Sequence, residues 1–277
     1  MVKIAVTKWW LCLFLLASSL AWGADKSSGV TVSIRPLALI YEGLRPQQPV
    51  QVLLPADRDM HEYALTVKDM SHLQSAELFF WQGQENEPFL QALSQKFPGQ
   101  QWVNVAGKAR HAWLDRKQLP FIIDRMAAAL EVSFPEEKTA IEWRRAQLKQ
   151  EIEARFVYWQ KQMLSLQQQP FLLGHEAFLG FVRQLGLQQA ILYRSGGDHG
   201  HAQGGMKELL SAQQKIANGE IRCAFEEPDI SFATLASRYP QLKRMRLEPM
   251  ANSISLGEAG YIEFIDASAN TIMACLQ

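Results

Sequence analysis

Residues 136–168 read EEKTAIEWRRAQLKQEIEARFVYWQKQMLSLQQ. Ile141, Leu148, Ile152, Phe156, Trp159, Met163 and Leu166 recur at helical spacing and keep close to one face for some 30 residues, about 45 Å of helix. Glu, Lys, Arg and Gln fill most other positions, and Pro135 stands just before the segment. A coiled-coil dimer is the competing reading, but Arg145 interrupts the stripe. A single helix bridging two lobes suits a chain of this length better.

On both sides of that helix, strand-like and helix-like segments alternate, the signature of parallel sheets with crossovers. Before it, strands are predicted at Val30–Ile34, Val50–Leu54, Leu78–Trp81 and Trp102–Val105, with helices at Pro36–Leu44, Thr66–Ala76 and Phe89–Lys96 and around Leu119–Leu130. After it come strands Phe171–Gly174, Ala190–Tyr193, Ile221–Phe225 and Arg244–Leu247. Helices follow at Ala177–Leu185, Met206–Asn218, Ser231–Arg238 and Tyr261–Cys275. The predicted organisation is a first α/β lobe over 24–135, a linking helix over 136–168 and a second α/β lobe over 169–277.

Residues 1–23 are set apart. Lys3 and Lys8 precede an apolar run from Trp9 to Leu20 and then Ala21-Trp22-Gly23, the order of a signal peptide. The run is well short of the roughly 20 residues that span a bilayer. Cleavage after about Gly23 would leave 26 basic against 28 acidic side chains, a balance that argues against a nucleic-acid partner. Two cysteines, Cys223 and Cys275, would enter an oxidising compartment that favours a disulfide, the alternative being two buried thiols.

Of six histidines, His61, His111 and His175 share a setting in loops that follow predicted strands. Ligands of open parallel sheets bind beyond the carboxyl ends of strands, so these three could converge on one cation; three unrelated histidines are the alternative. Neutral imidazoles bind divalent metals, and protons compete with them, so affinity should fall as pH drops through about 6. His72 lies on a predicted helix and reads as a surface residue. Asp198, His199 and His201, in the Gly-rich loop 195–205, form either an auxiliary metal collector or a solvated loop. His61-Glu62 and His175-Glu176 begin like a zinc-protease motif, but Leu65 and Leu179 replace its second histidine. Phosphate-loop, nucleophile-elbow and dinucleotide signatures are absent from the sequence.

Several segments, taken together, resemble the cluster A-I solute-binding proteins of zinc and manganese ABC importers. They are Val32-Ser33-Ile34-Arg35-Pro36-Leu37, Val52-Leu53-Leu54-Pro55 with His61-Glu62-Tyr63, and His111-Ala112-Trp113-Leu114-Asp115. Gly174-His175-Glu176-Ala177-Phe178, Cys223-Ala224-Phe225-Glu226-Glu227-Pro228 and Leu247-Glu248-Pro249 complete the set. The resemblance implies two four-stranded lobes joined by a rigid helix, with a metal site in the interlobe cleft. It implies His61, His111 and His175 as ligands, with Glu248 at the position where the family has Asp or water. His175, where manganese members carry a carboxylate, favours Zn2+ over Mn2+. Met60 stands where some zinc members place an acidic residue, and the stretch 105–110 lacks the His-rich insertion of others. The expected protein is a periplasmic monomer that binds a metal ion and delivers it to an inner-membrane ABC permease. The rival readings are a secreted zinc hydrolase with a three-histidine site and a manganese or iron carrier. Trp113 is expected to pack, and Glu227 either to orient a ligand histidine or to serve only the strand end.

Overall fold

Four apolar runs form the centre of two parallel sheets. β1 (Val30–Val32), β3 (Leu78–Trp81), β5 (Phe171–Leu173) and β7 (Cys223–Glu226) are buried along nearly their whole lengths, as strands covered on both faces must be. The structure is a computed structural model that describes residues 29–55, 63–193, 206–228 and 230–277. The first sheet has the order β2-β1-β3-β4, with β2 at Gln51–Val52 and β4 at Gln101–Asn104. The second has the order β6-β5-β7-β8, with β6 at Ala190–Leu192 and β8 at Lys243–Arg246. Every pairing is parallel, with registers such as Thr31 to Gln51, Leu78 to Gln101 and Cys223 to Lys243. The two halves repeat one topology, and four-stranded parallel sheets in both are as expected. β8 closes its sheet as an outer strand, with Lys243, Arg244 and Arg246 exposed.

Helices fill the crossovers: α1 (Arg35–Leu44), α2 (Val67–Ser75), α3 (Pro88–Lys96) and α4 (Leu119–Ser133) in the first half. α6 (Leu179–Gln184), α7 (Met206–Ala217), α8 (Ala233–Arg238) and α9 (Gly260–Leu276) lie in the second. Pro36, Pro88 and Pro120 stand in the first turns of α1, α3 and α4, where a missing N–H costs nothing. Thr66 and Asp69 close a capping box on α2. Between the halves runs α5 (Lys138–Gln162), shorter than the predicted 136–168 because 3₁₀ turns at Pro135–Glu137 and Leu164–Leu166 tighten its two ends. Its stripe Ile141, Leu148, Ile152, Phe156 and Trp159 is buried within the protein itself, so the chain uses this face for its own lobes. Arg145, the break in the stripe, pairs with Asp124 and Glu131 of α4. Among the described residues no helix is long and apolar enough to cross a membrane.

Strand alternation divides the core. Val30, Val32, Leu78 and Phe80 of the first sheet and Phe171, Leu173, Cys223 and Phe225 of the second face one continuous cluster that also takes in α1, α4, α5 and α9. Opposite faces feed two smaller clusters, one around Phe79 and Trp81, the other around Leu172 and Ala224. The lobes therefore share a core. Cys223 and Cys275 form a disulfide with Cα atoms 5.7 Å apart, fixing α9 to the inner face of β7.

Candidate metal centre

β5 ends at Leu173, and His175 follows one residue later. Gly174 makes this sharp exit feasible: a Cβ built there would lie 2.4 Å from Ile230 Cγ2, far inside contact distance. Ile230 belongs to the turn beyond β7, where Glu227 and Ile230 exchange backbone hydrogen bonds of 3.2 and 3.0 Å. The close packing brings Glu227 under the histidine, with Oε2 3.4 Å from His175 Nδ1. Glu227 is buried, and its Oε1 has no hydrogen-bond donor among the described residues. A buried carboxylate left partly unpaired favours positive charge nearby.

His111 reaches the same place from the first half. After β4, Asn104 Oδ1 accepts the N–H groups of Ala106 and Gly107 at 3.2 and 2.9 Å, turning the chain. Asn86 Nδ2 then donates to the Ala109 carbonyl at 3.0 Å and holds the turn against the end of β3. His111 itself adopts φ 47° and ψ 36°, a left-handed conformation, directly before the 3₁₀ turn Ala112–Leu114. For a non-glycine residue this costs on the order of 1 kcal/mol and persists where surroundings dictate it. The consequence is a buried imidazole whose ring centre lies 5.0 Å from that of His175, with the planes at 87°. Trp113 meets the His111 ring edge-on at 5.4 Å, and its Nε1 donates to the Pro249 carbonyl at 2.8 Å. Arg110 and Glu176, the neighbours of the two histidines, approach to 3.4 Å across the lobes.

The other predicted residues are placed as follows. His61 with Met60, and the tract Asp198, His199 and His201, lie outside the described residues. The hydroxyl of Tyr63 donates to Asp69 at 2.6 Å. Burial pushes the Asp69 carboxyl up, but bonds from Tyr63 and Thr66 outweigh it and hold the carboxyl below its usual value. Glu248 follows β8 and accepts from Arg246 Nε at 2.9 Å. His72 is half-buried on α2. Among the described residues no three His, Cys, Asp or Glu side chains form a ready metal-binding group; His111 and His175 supply two imidazoles, with Glu227 behind one of them. Asn86, Gln184 and Tyr261, which hold the His111 segment, escaped sequence reasoning because each bonds a backbone group far away in the chain.

Two parallel-sheet lobes on one long helix, with the His111 and His175 loops meeting between them, define a two-lobed α/β fold. Residues 30–275 match the family model described as zinc-uptake complex component A, periplasmic, and the chain belongs to that family. It is 23% identical over 309 residues to the high-affinity zinc uptake system protein ZnuA of Haemophilus ducreyi, covering 96% of this chain and 97% of that protein. A shorter match to ZnuA of Yersinia pestis is 41% identical over 85 residues, 29% of this chain and 27% of that one. A crystal structure of ZnuA superposes with a TM-score of 0.74 at 20% identity, covering 90% of this chain and 98% of that one. The solute-binding protein FpvC of Pseudomonas aeruginosa in complex with Mn2+ gives 0.69 at 15% identity, over 90% and 97%.

Proposed function

We propose that this chain is the extracytoplasmic receptor of a zinc importer, binding Zn2+ between its lobes as cargo and delivering it to an ABC permease. The observation that carries the reading is the meeting of His111 and His175, from opposite lobes, at 5.0 Å between ring centres within a chain of the zinc-uptake family. Two imidazoles held at right angles suit tetrahedral zinc, whose bonds to nitrogen are about 2.0 to 2.1 Å. Glu227 facing Nδ1 of His175 leaves Nε2 as the ligating nitrogen and raises its basicity, an arrangement common behind zinc-bound histidine. His61 is the third ligand in this reading, and Glu248 or a water the fourth. Lobe boundaries at 135 and 168, a monomeric state, export through cleavage near Gly23 and the absence of catalysis belong to the same proposal.

Native mass spectrometry with metal analysis on untagged mature protein tests it. Wild type should carry one zinc ion, and His111→Ala and His175→Ala should each lose it while remaining folded. A wild-type protein that takes up no zinc at micromolar concentration ends the proposal. Copper binding in vitro would not decide the physiological cargo, because imidazole sites follow the usual affinity order.

A further inference from the structure

The segment after His111 belongs to the first lobe by sequence, yet several of its hydrogen bonds reach the second. Trp113 Nε1 donates to the Pro249 carbonyl at 2.8 Å, and the Tyr261 hydroxyl of α9 donates to the Trp113 carbonyl. Next in the chain, Asp115 Oδ1 accepts from Gln184 Nε2, and the Arg116 N–H donates to Gln184 Oε1 at 2.6 Å. The Arg116 side chain turns back, donating to Glu153 of the linking helix at 2.8 Å. Gln184 closes α6, the helix that follows His175. One amide thus joins the chain just beyond one imidazole to the helix just beyond the other.

Asp115 offers this junction an acceptor and the Arg116 backbone a donor. A neutral amide satisfies both; a carboxylate there would face Asp115, and an apolar side chain would satisfy neither. We infer that Gln184 is a positioning residue, whose paired hydrogen bonds set the spacing of His111 and His175 and so govern how fast, and how selectively, the lobe junction holds a small divalent cation. The inference rests on the zinc reading above. Zinc draws on imidazole nitrogen, whereas manganese suits carboxylate and carbonyl oxygen, so slack between the imidazoles penalises zinc first.

The test uses full-length mature protein. Hydrogen exchange of the amides 112–117 in metal-free protein reads the junction without reference to metal, and stopped-flow release to a chelator reads zinc dissociation. Gln184→Met should speed exchange across that segment, release zinc roughly tenfold faster and narrow the affinity ratio of zinc to manganese. Asp115 Oδ1 also accepts from the Lys117 N–H at 2.7 Å, so Asp115 must stay an acceptor. Gln184→Glu keeps the acceptor for the Arg116 N–H but sets a carboxylate against Asp115, and should shift all three quantities in the same direction as Gln184→Met. A merely structural residue would lower the melting temperature and leave release rate and selectivity alone. Should Q184M not fold, Q184E alone, which opens only the Asp115 side, reports the same release rate. Wild-type zinc kinetics in a variant whose exchange has quickened overturn the inference while leaving the zinc reading intact. Wild-type protein that holds no zinc overturns both.

Discussion

His175 shows how little of a binding residue's behaviour resides in the residue itself. Its identity and its place after β5 were readable from Gly174-His175-Glu176, but the carboxylate behind it comes from a turn beyond β7, and Gly174 must be bare for that turn to approach. Glu227→Ala should fold normally and bind zinc 10- to 100-fold more weakly in a competition titration; an unchanged dissociation constant would reduce Glu227 to a strand-end residue. Glu87 is a second buried carboxylate, in the turn between β3 and α3. Burial pushes it up to about 7, with the nearby Ser33 hydroxyl and the Gln82 N–H, which donates at 2.6 Å, pulling only partly the other way. Its folded value exceeds its unfolded one, so its contribution to stability is complete below about 4.5 and is lost as pH rises through 7. That amounts to about 3 kcal/mol. Urea midpoints should therefore fall between pH 5 and 8 in wild type, and Glu87→Gln should flatten the change. Identical pH slopes in the two proteins would refute the assignment. Nothing in the sequence singled out Glu87, because its ionisation follows from enclosure, which spacing does not reveal.

Among elements, the interior strands were the most legible. Leu78–Trp81 and Phe171–Leu173 are continuous apolar runs, which is what strands covered on both faces require. Outer strands blurred: β2 spans only Gln51–Val52, although Leu53 and Leu54 still bond the carbonyls of Val32 and Ser33 at 2.9 Å. Helix ends were misjudged where 3₁₀ turns replace the last α-turn, as beyond Gln162, since both conformations bury the same stripe. The sharpest element-scale test falls on the β5 exit. Gly174→Ala places a methyl against Ile230 and should destabilise the protein by about 1–3 kcal/mol, seen as a lower melting temperature. Ile230→Ala removes the offending Cγ2 and should recover part of the loss in the double variant. A fully stable G174A would mean that the turn beyond β7 yields easily, and the support it gives Glu227 would be correspondingly weak.

For the whole molecule, alternation around a long helix was sufficient to anticipate two α/β lobes with four strands in each, and the family resemblance implied the same. What spacing could not anticipate is that the lobes are not separate bodies. One core cluster runs from Val30 to Leu276 through α5 and α9. Arg35 at the start of α1 reaches across to the Ala251 carbonyl at 3.2 Å and to that of Ile254. Metal-free protein should therefore melt in a single calorimetric transition, with far-ultraviolet and tryptophan signals coincident. Two resolved transitions would show lobes that fold independently. The outer strand β8 has its own consequence. Its Lys-Arg-Met-Arg spelling sets three long charged side chains on the sheet's outer strand, Arg244 held by Glu226 and Arg246 by Glu248, so a strand added there would meet ion pairs in place of an apolar face. Charge of this kind on an outer strand disfavours edge-to-edge pairing, a guard against fibrous self-association at this border of the second lobe.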